Sequence, residues 1–113
     1  MKPVSLVLLI SAALLAAAGQ MLFKVGATDR ARLIEYLNPA IIVGLLCYAL
    51  STVAWIYTLS SEKLVNVYAF TALSFVLVYA GGVTLLGETL TGAGIVGIVL
   101  IMAGLFLLTT SNT

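Results

Sequence analysis

Histidine is absent from these 113 residues, cysteine occurs once, and only 8% of the chain is charged, five basic residues against four acidic ones. Without His, and with Cys47 alone, one chain can build neither a Cys/His metal site nor a disulfide framework. Cys47 sits in an apolar stretch and reads as a small packing residue. No nucleophile–base pair and no phosphate-cradling glycine loop is visible. The four acids, Asp29, Glu35, Glu62 and Glu88, all fall in or beside polar links. These gaps argue against an enzyme, a cofactor or a bound metal. A net charge of +1 gives no reason to expect a nucleic-acid partner.

The scarcity of charge has a larger consequence. A soluble domain carries roughly 25% charged residues. This chain is 63% hydrophobic, with a mean hydropathy of +1.24, and cannot cover a water-facing surface. It reads as an all-α integral membrane protein.

A membrane-spanning helix needs about 20 mainly apolar residues. Four runs qualify: 4–23, 39–59, 64–86 and 91–109. Together they make a single four-helix transmembrane domain over 1–113. Lys2, the first run and "AAAG" (Ala16 to Gly19) resemble a cleavable signal, but the apolar character continues through Phe23, so the run reads as a retained span. Short links, "SSEK" (Ser60 to Lys63) and "GETL" (Gly87 to Leu90), force neighbouring helices antiparallel. The first link, 24–38, holds five of the nine charges. Within it Leu33, Ile34 and Leu37 follow a helical spacing beside Arg30, Arg32 and Glu35. Either a short interfacial helix or an irregular surface loop fits. Lys24, Arg30 and Arg32 on one side against Lys2 and Lys63 on the other bias orientation by one charge, placing the first loop weakly in the cytoplasm.

A few polar side chains sit at chosen depths. Gln20 and Lys24 are one helical turn apart on one face, and Gly19 beside them permits close approach of another backbone. They could hold an anionic headgroup. Equally, Gln20 could bond to a neighbouring helix while Lys24 snorkels to lipid phosphates. In the third run, Asn66, Tyr68, Thr71 and Ser74 put polar groups into an apolar helix, with Tyr68, Thr71 and Ser74 close to one stripe. They face a cavity or the bundle interior, unless the hydroxyls bond back to their own helix. Tyr36, Tyr48, Trp55 and Tyr57, and Tyr68 itself, could serve as interfacial belt residues. In the fourth run Gly97 and Gly104 are seven apart with Ile101 between them, a spacing suited to tight helix packing against a second chain. Glu88 is placed to cap the fourth helix, where a carboxylate suits the helix dipole.

The segment "GETLTGAGIVGIVLIMAGLFLL" resembles the closing segment of the drug/metabolite transporter superfamily. The single four-helix unit resembles its small multidrug resistance branch, whose exporters work as antiparallel dimers. That branch exchanges protons for cations at one Glu in the first helix. The matching position here is Ala16, so the mechanism loses its titratable group. The characteristic third-helix Trp falls near Thr71. "AGQMLFK" (Ala18 to Lys24), "VYAFTALSF" (Val67 to Phe75) and "LLGE" (Leu85 to Glu88) are similar to the small subunits that flip aminoarabinose-phosphoundecaprenol. That resemblance implies shared positions at Ala18, Gly19, Gln20, Lys24, Tyr68, Ser74 and Glu88. Where those subunits tend to have a proline after the Tyr, this chain has Ala69, which implies a third helix without its kink.

The expectation is an inner-membrane flippase, or flippase subunit, for a polyprenyl-phosphate-linked sugar or similar anionic lipid. Gln20, Asn66, Tyr68, Thr71 and Ser74 would offer neutral hydrogen bonds to sugar, and Lys24 a cation to phosphate. Its partners would be the bilayer, that lipid, and a second small subunit in an antiparallel or pseudo-symmetric homodimer or heterodimer. An exporter of small polar or cationic compounds and a non-transporting partner subunit are the alternatives.

Overall fold

The structure is a computed structural model and describes residues 2–111. Among them the elements are helices α1 (Pro3–Ala27), α2 (Pro39–Leu59), α3 (Leu64–Ala69), α4 (Thr71–Thr84) and α5 (Gly92–Ser111), with one 3₁₀ turn at Leu33–Tyr36. No strand occurs among the described residues. The bundle measures 47 × 35 × 18 Å. Its thin dimension is about two helix diameters.

Local chemistry sets the helix ends. Pro3 and Pro39 occupy first-turn positions of α1 and α2, where the missing N–H costs nothing. The Asn38 side chain accepts from the Ile41 N–H at 3.2 Å and caps α2. At the other end of α1, Thr28 turns extended and returns its N–H to the Lys24 carbonyl at 3.1 Å. The helix therefore runs past Lys24, which belongs to its last turn rather than to the loop. Gly87 takes φ +70° in the turn before α5, a left-handed geometry suited to glycine. The Thr91 hydroxyl accepts from the Gly94 N–H at 3.1 Å and supplies the cap expected of Glu88. Glu88 instead folds back on α4: its N–H donates to the Gly82 carbonyl at 2.9 Å, and its carboxylate covers Gly82.

The third span corrects an expectation. Ala69 in place of proline implied an unkinked helix, yet the span breaks at Phe70 into α3 and α4. Phe70 donates to Val67, three residues back, at 3.1 Å, and Leu73 donates to Phe70 in the same way. Two such bonds tighten the backbone into a 3₁₀-like turn. Non-helical backbone at membrane depth is tolerated where it lines a cavity, and Phe70 lines one.

α1 packs chiefly on α2 and next on α4, while α5 packs on α3 and α4. Small residues allow the α1–α2 approach: Ala12, Ala13, Ala17 and Gly19 are buried on α1, and Gly44 and Ser51 on α2. α4 meets α1 where a Cβ at Gly81 would overlap the Met21 thioether. By length and composition, α1, α2 and the α3–α4 pair (Leu64–Thr84) can each cross a membrane, and the apolar part of α5, Gly92–Leu108, is shorter. The chain is an integral membrane protein.

Candidate functional site

A cavity of about 630 Å³ lies between α1, α2 and the broken third span. Each wall repeats at three- and four-residue spacing, the signature of one helix face. α1 contributes Leu9, Ala12, Ala13, Ala16 and Gln20; α2 contributes Tyr48, Ser51, Thr52 and Trp55; the third span contributes Tyr68, Phe70, Thr71, Ser74, Phe75, Val78 and Tyr79. No charged residue lines it. The space is open along one side: Tyr68 is 60% exposed, Phe75 53% and Tyr79 50%. It is a groove reachable from the lipid rather than a sealed chamber.

The small α1 residues make the room, and larger side chains furnish it. Trp55 and Tyr68 meet edge to face, with ring centroids 6.3 Å apart at 63°. Phe23 and Tyr48 meet at 6.1 Å, tilted 36°, at the Gln20 end. Two hydroxyls in the wall are committed to backbone. Ser51 Oγ donates across to the Ala12 carbonyl at 2.7 Å, buried, and Thr52 Oγ1 donates to Tyr48 of its own helix at 2.9 Å. Thr58 and Thr84 bond back the same way. Thr71 and Ser74 do not. Their hydroxyls, the Tyr68 hydroxyl and the Gln20 amide have no hydrogen-bond partner among the described residues. The groove thus presents four unengaged neutral polar groups among aromatic faces. Among the described residues, Gln20 makes no bond to a neighbouring helix and the Thr71 and Ser74 hydroxyls make none to their own backbone.

The remaining expected residues lie elsewhere. Lys24 is exposed on the last turn of α1, one turn beyond Gln20 and outside the groove lining. Asn66 is buried on α3, also outside it, and its Oδ1 has no partner among the described residues. Gly97, Ile101 and Gly104 are half-buried on α5. Ala16, where the resemblance to the small multidrug resistance branch leads one to look for an acid, lines the groove. Sequence reasoning missed Tyr48, Ser51, Trp55 and Tyr79 as lining residues. The spacing Tyr48, Ser51, Trp55 carries the signal, but an interfacial belt explains two of those aromatics equally well. No cluster of metal-binding side chains occurs among the described residues.

Comparison with known proteins now decides the family. The sequence pattern of the EamA-like transporter family matches residues 3–110, nearly the whole chain. The chain belongs to the EamA-like transporter family. The chain is also similar to a protein of Proteus mirabilis (strain HI4320), "Probable 4-amino-4-deoxy-L-arabinose-phosphoundecaprenol flippase subunit ArnF". It is 35% identical over 115 residues, covering 88% of this chain and 86% of the relative. A protein of the same description from Shewanella sediminis (strain HAW-EB3) is 43% identical over 76 residues, covering 65% of this chain and 52% of that relative. No solved structure matches.

Proposed function

We propose that this EamA-like protein is a subunit of a flippase that carries a polyprenyl-phosphate-linked sugar across the bacterial inner membrane. The observation that carries this reading is the groove itself: four free neutral hydrogen-bonding groups, Gln20, Tyr68, Thr71 and Ser74, with aromatic faces and no charge. A sugar ring needs such groups, because its hydroxyls lose water in the membrane and must be re-satisfied. The open side lets the polyprenyl tail stay in lipid while the head travels. The phosphate does not enter the uncharged groove. It stays at the edge, where the exposed Lys24 ammonium lies one turn past Gln20. The description of the Proteus mirabilis and Shewanella sediminis relatives agrees with a lipid-linked sugar as cargo.

A cation exporter is the weaker reading. Ala16 lines the groove where a counter-charge would be required, and no carboxylate replaces it. Transport rather than catalysis is the role, with the whole chain acting as one four-span domain. The groove is open along the side of Tyr68, Phe75 and Tyr79, so a second small subunit, identical or similar, would complete the pathway. α5 is the face for it: a Cβ at Gly97 or Gly104 meets nothing within 4 Å.

The test is transbilayer movement of a fluorescent polyprenyl-phosphate sugar in liposomes holding the purified chain, alone and with a candidate partner subunit. Movement lost in Gln20→Leu and Lys24→Ala, with folding intact, supports the reading. Movement that survives both substitutions sinks it.

A further inference from the structure

The connection between α1 and α2 is more ordered than a loop of its composition need be. Asn38 is its keystone. Its Nδ2 donates to the Gly26 and Glu35 carbonyls, both at 2.9 Å, while its Oδ1 caps α2. Arg30 Nε donates to the same Gly26 carbonyl at 2.9 Å. Glu35 turns inward: its Oε2 accepts from the Ala31 N–H at 2.9 Å and the Arg32 N–H at 3.3 Å. These bonds hold the 3₁₀ turn Leu33–Tyr36 with its apolar side chains outward. Leu33 is 89% exposed, Ile34 63% and Leu37 69%. Such a patch, held by these bonds and without a partner among the described residues, calls for an occupant.

Depth identifies the occupant. α2 starts at Pro39, and its 21 residues span about 32 Å at 1.5 Å per residue, close to the roughly 30 Å hydrocarbon core. Leu37 therefore lies at the edge of that core, and the 3₁₀ turn lies in the headgroup zone. Charge agrees. The segment carries Lys24, Arg30 and Arg32 against Asp29 and Glu35, and Glu35 is engaged with backbone N–H groups. Arg30, bonded through Nε, keeps both terminal nitrogens for other acceptors. Apolar side chains flanked by cations suit an anionic lipid surface.

We propose that the 24–38 connection is a preformed foot on the bilayer surface. Leu33, Ile34 and Leu37 enter the acyl boundary, and Arg30 and Arg32 take anionic phospholipid headgroups. The foot holds the Gln20 end of the groove at one leaflet and reinforces an orientation that the loop charges alone set by a single residue. It is independent of what the groove carries.

The full chain with Leu33→Trp in a Trp55→Phe background tests this by fluorescence. It is reconstituted in phosphatidylethanolamine vesicles with and without phosphatidylglycerol, using lipids brominated near the headgroup. Ser61→Trp, in the exposed α2–α3 link, serves as the aqueous control, and thermal melts check folding. The expected result is bromolipid quenching of the Leu33→Trp fluorescence and shielding from acrylamide. That quenching strengthens with phosphatidylglycerol and falls at least about twofold on adding Arg30→Gln and Arg32→Gln. Acrylamide quenching equal to the control overturns the proposal. So does shielding from both quenchers, which marks a second protein as the cover. Bromolipid quenching indifferent to phosphatidylglycerol and to the arginines also overturns it, because the headgroup contact is then absent.

Discussion

Gly19 and Gly44 bring α1 and α2 together backbone to backbone. The Gly44 carbonyl lies 2.9 Å from where a Cβ on Gly19 would stand, and the Gly19 carbonyl 3.1 Å from a Cβ on Gly44. Neither backbone can yield as a side-chain end would. Gly19 also precedes Gln20, so the same contact that joins the helices sets the height of the amide in the groove. Gly19→Val or Gly44→Val should lower stability by about 1–3 kcal/mol, the usual cost of overpacking, and reduce transport as well. Denaturation in detergent, read beside the liposome assay, checks both. A Gly19→Val chain with unchanged stability would mean the helices part at no cost.

The hydroxyls of the groove divide into spent and unspent ones. Ser74→Ala and Thr71→Val remove groups with no protein partner, so stability should stay near the parent's while substrate affinity falls by up to about tenfold for each lost hydrogen bond. Thr52→Ala removes a hydroxyl already donating to the Tyr48 carbonyl and should leave affinity near the parent's. Binding of the fluorescent lipid-linked sugar to each variant checks the contrast. Equal loss at all three would mean that the groove does not select by its free hydroxyls.

Much of this architecture is legible in the sequence, for a physical reason. Four apolar runs punctuated by Pro3, Asn38–Pro39 and Gly87 leave little choice of helix order, because a lipid environment requires long internally bonded segments. Gln20, Tyr68, Thr71 and Ser74 stand out because polar groups are rare there. What stays hidden depends on partners distant in sequence or on shape. The Ser51–Ala12 bond joins residues 39 apart. The break at Phe70 has neither Pro nor Gly to announce it. Tyr48 and Trp55 have two good explanations until the cavity is seen. The 24–38 link holds one short 3₁₀ turn pinned by Asn38, and spacing alone could not tell such a turn from an irregular loop because its bonds run from Asn38 back to Gly26 and Glu35.

α5 separates fold from association. Gly97 and Gly104 face open space, so Gly97→Leu and Gly104→Leu should leave the thermal stability of the lone chain within about 0.5 kcal/mol, as surface substitutions do. If a second subunit packs here, the same changes should abolish cross-linking between chains and transport together. Cross-linking in native membranes, set beside the melting curve, reads both. Retained cross-linking would move the subunit interface off this face.

Glu62 joins the start of α1 to the α2–α3 turn, its carboxylate accepting from the Lys2 N–H. Its carboxyl is held below the ordinary 4.5, first by the Ser5 hydroxyl and then by the Lys2 N–H, although burial pulls the other way. The Lys2 contact is 3.4 Å long. A carboxyl with a depressed folded-state value stabilises the fold fully above its unfolded value and loses that contribution as pH falls through the folded one. The parent and Glu62→Gln should therefore differ in melting temperature by a constant amount at neutral pH. The difference should shrink only below about pH 4.5, as protonation removes the acceptor. Glu35, held down by the Ala31 and Arg32 N–H groups, has the same sign and would mimic the effect, so the comparison must be made on the Glu62→Gln difference rather than on the parent's curve alone. Melting curves from neutral pH to about pH 3 decide it. A difference that grows on acidification would mean that Glu62 is not the acceptor holding this end of the bundle.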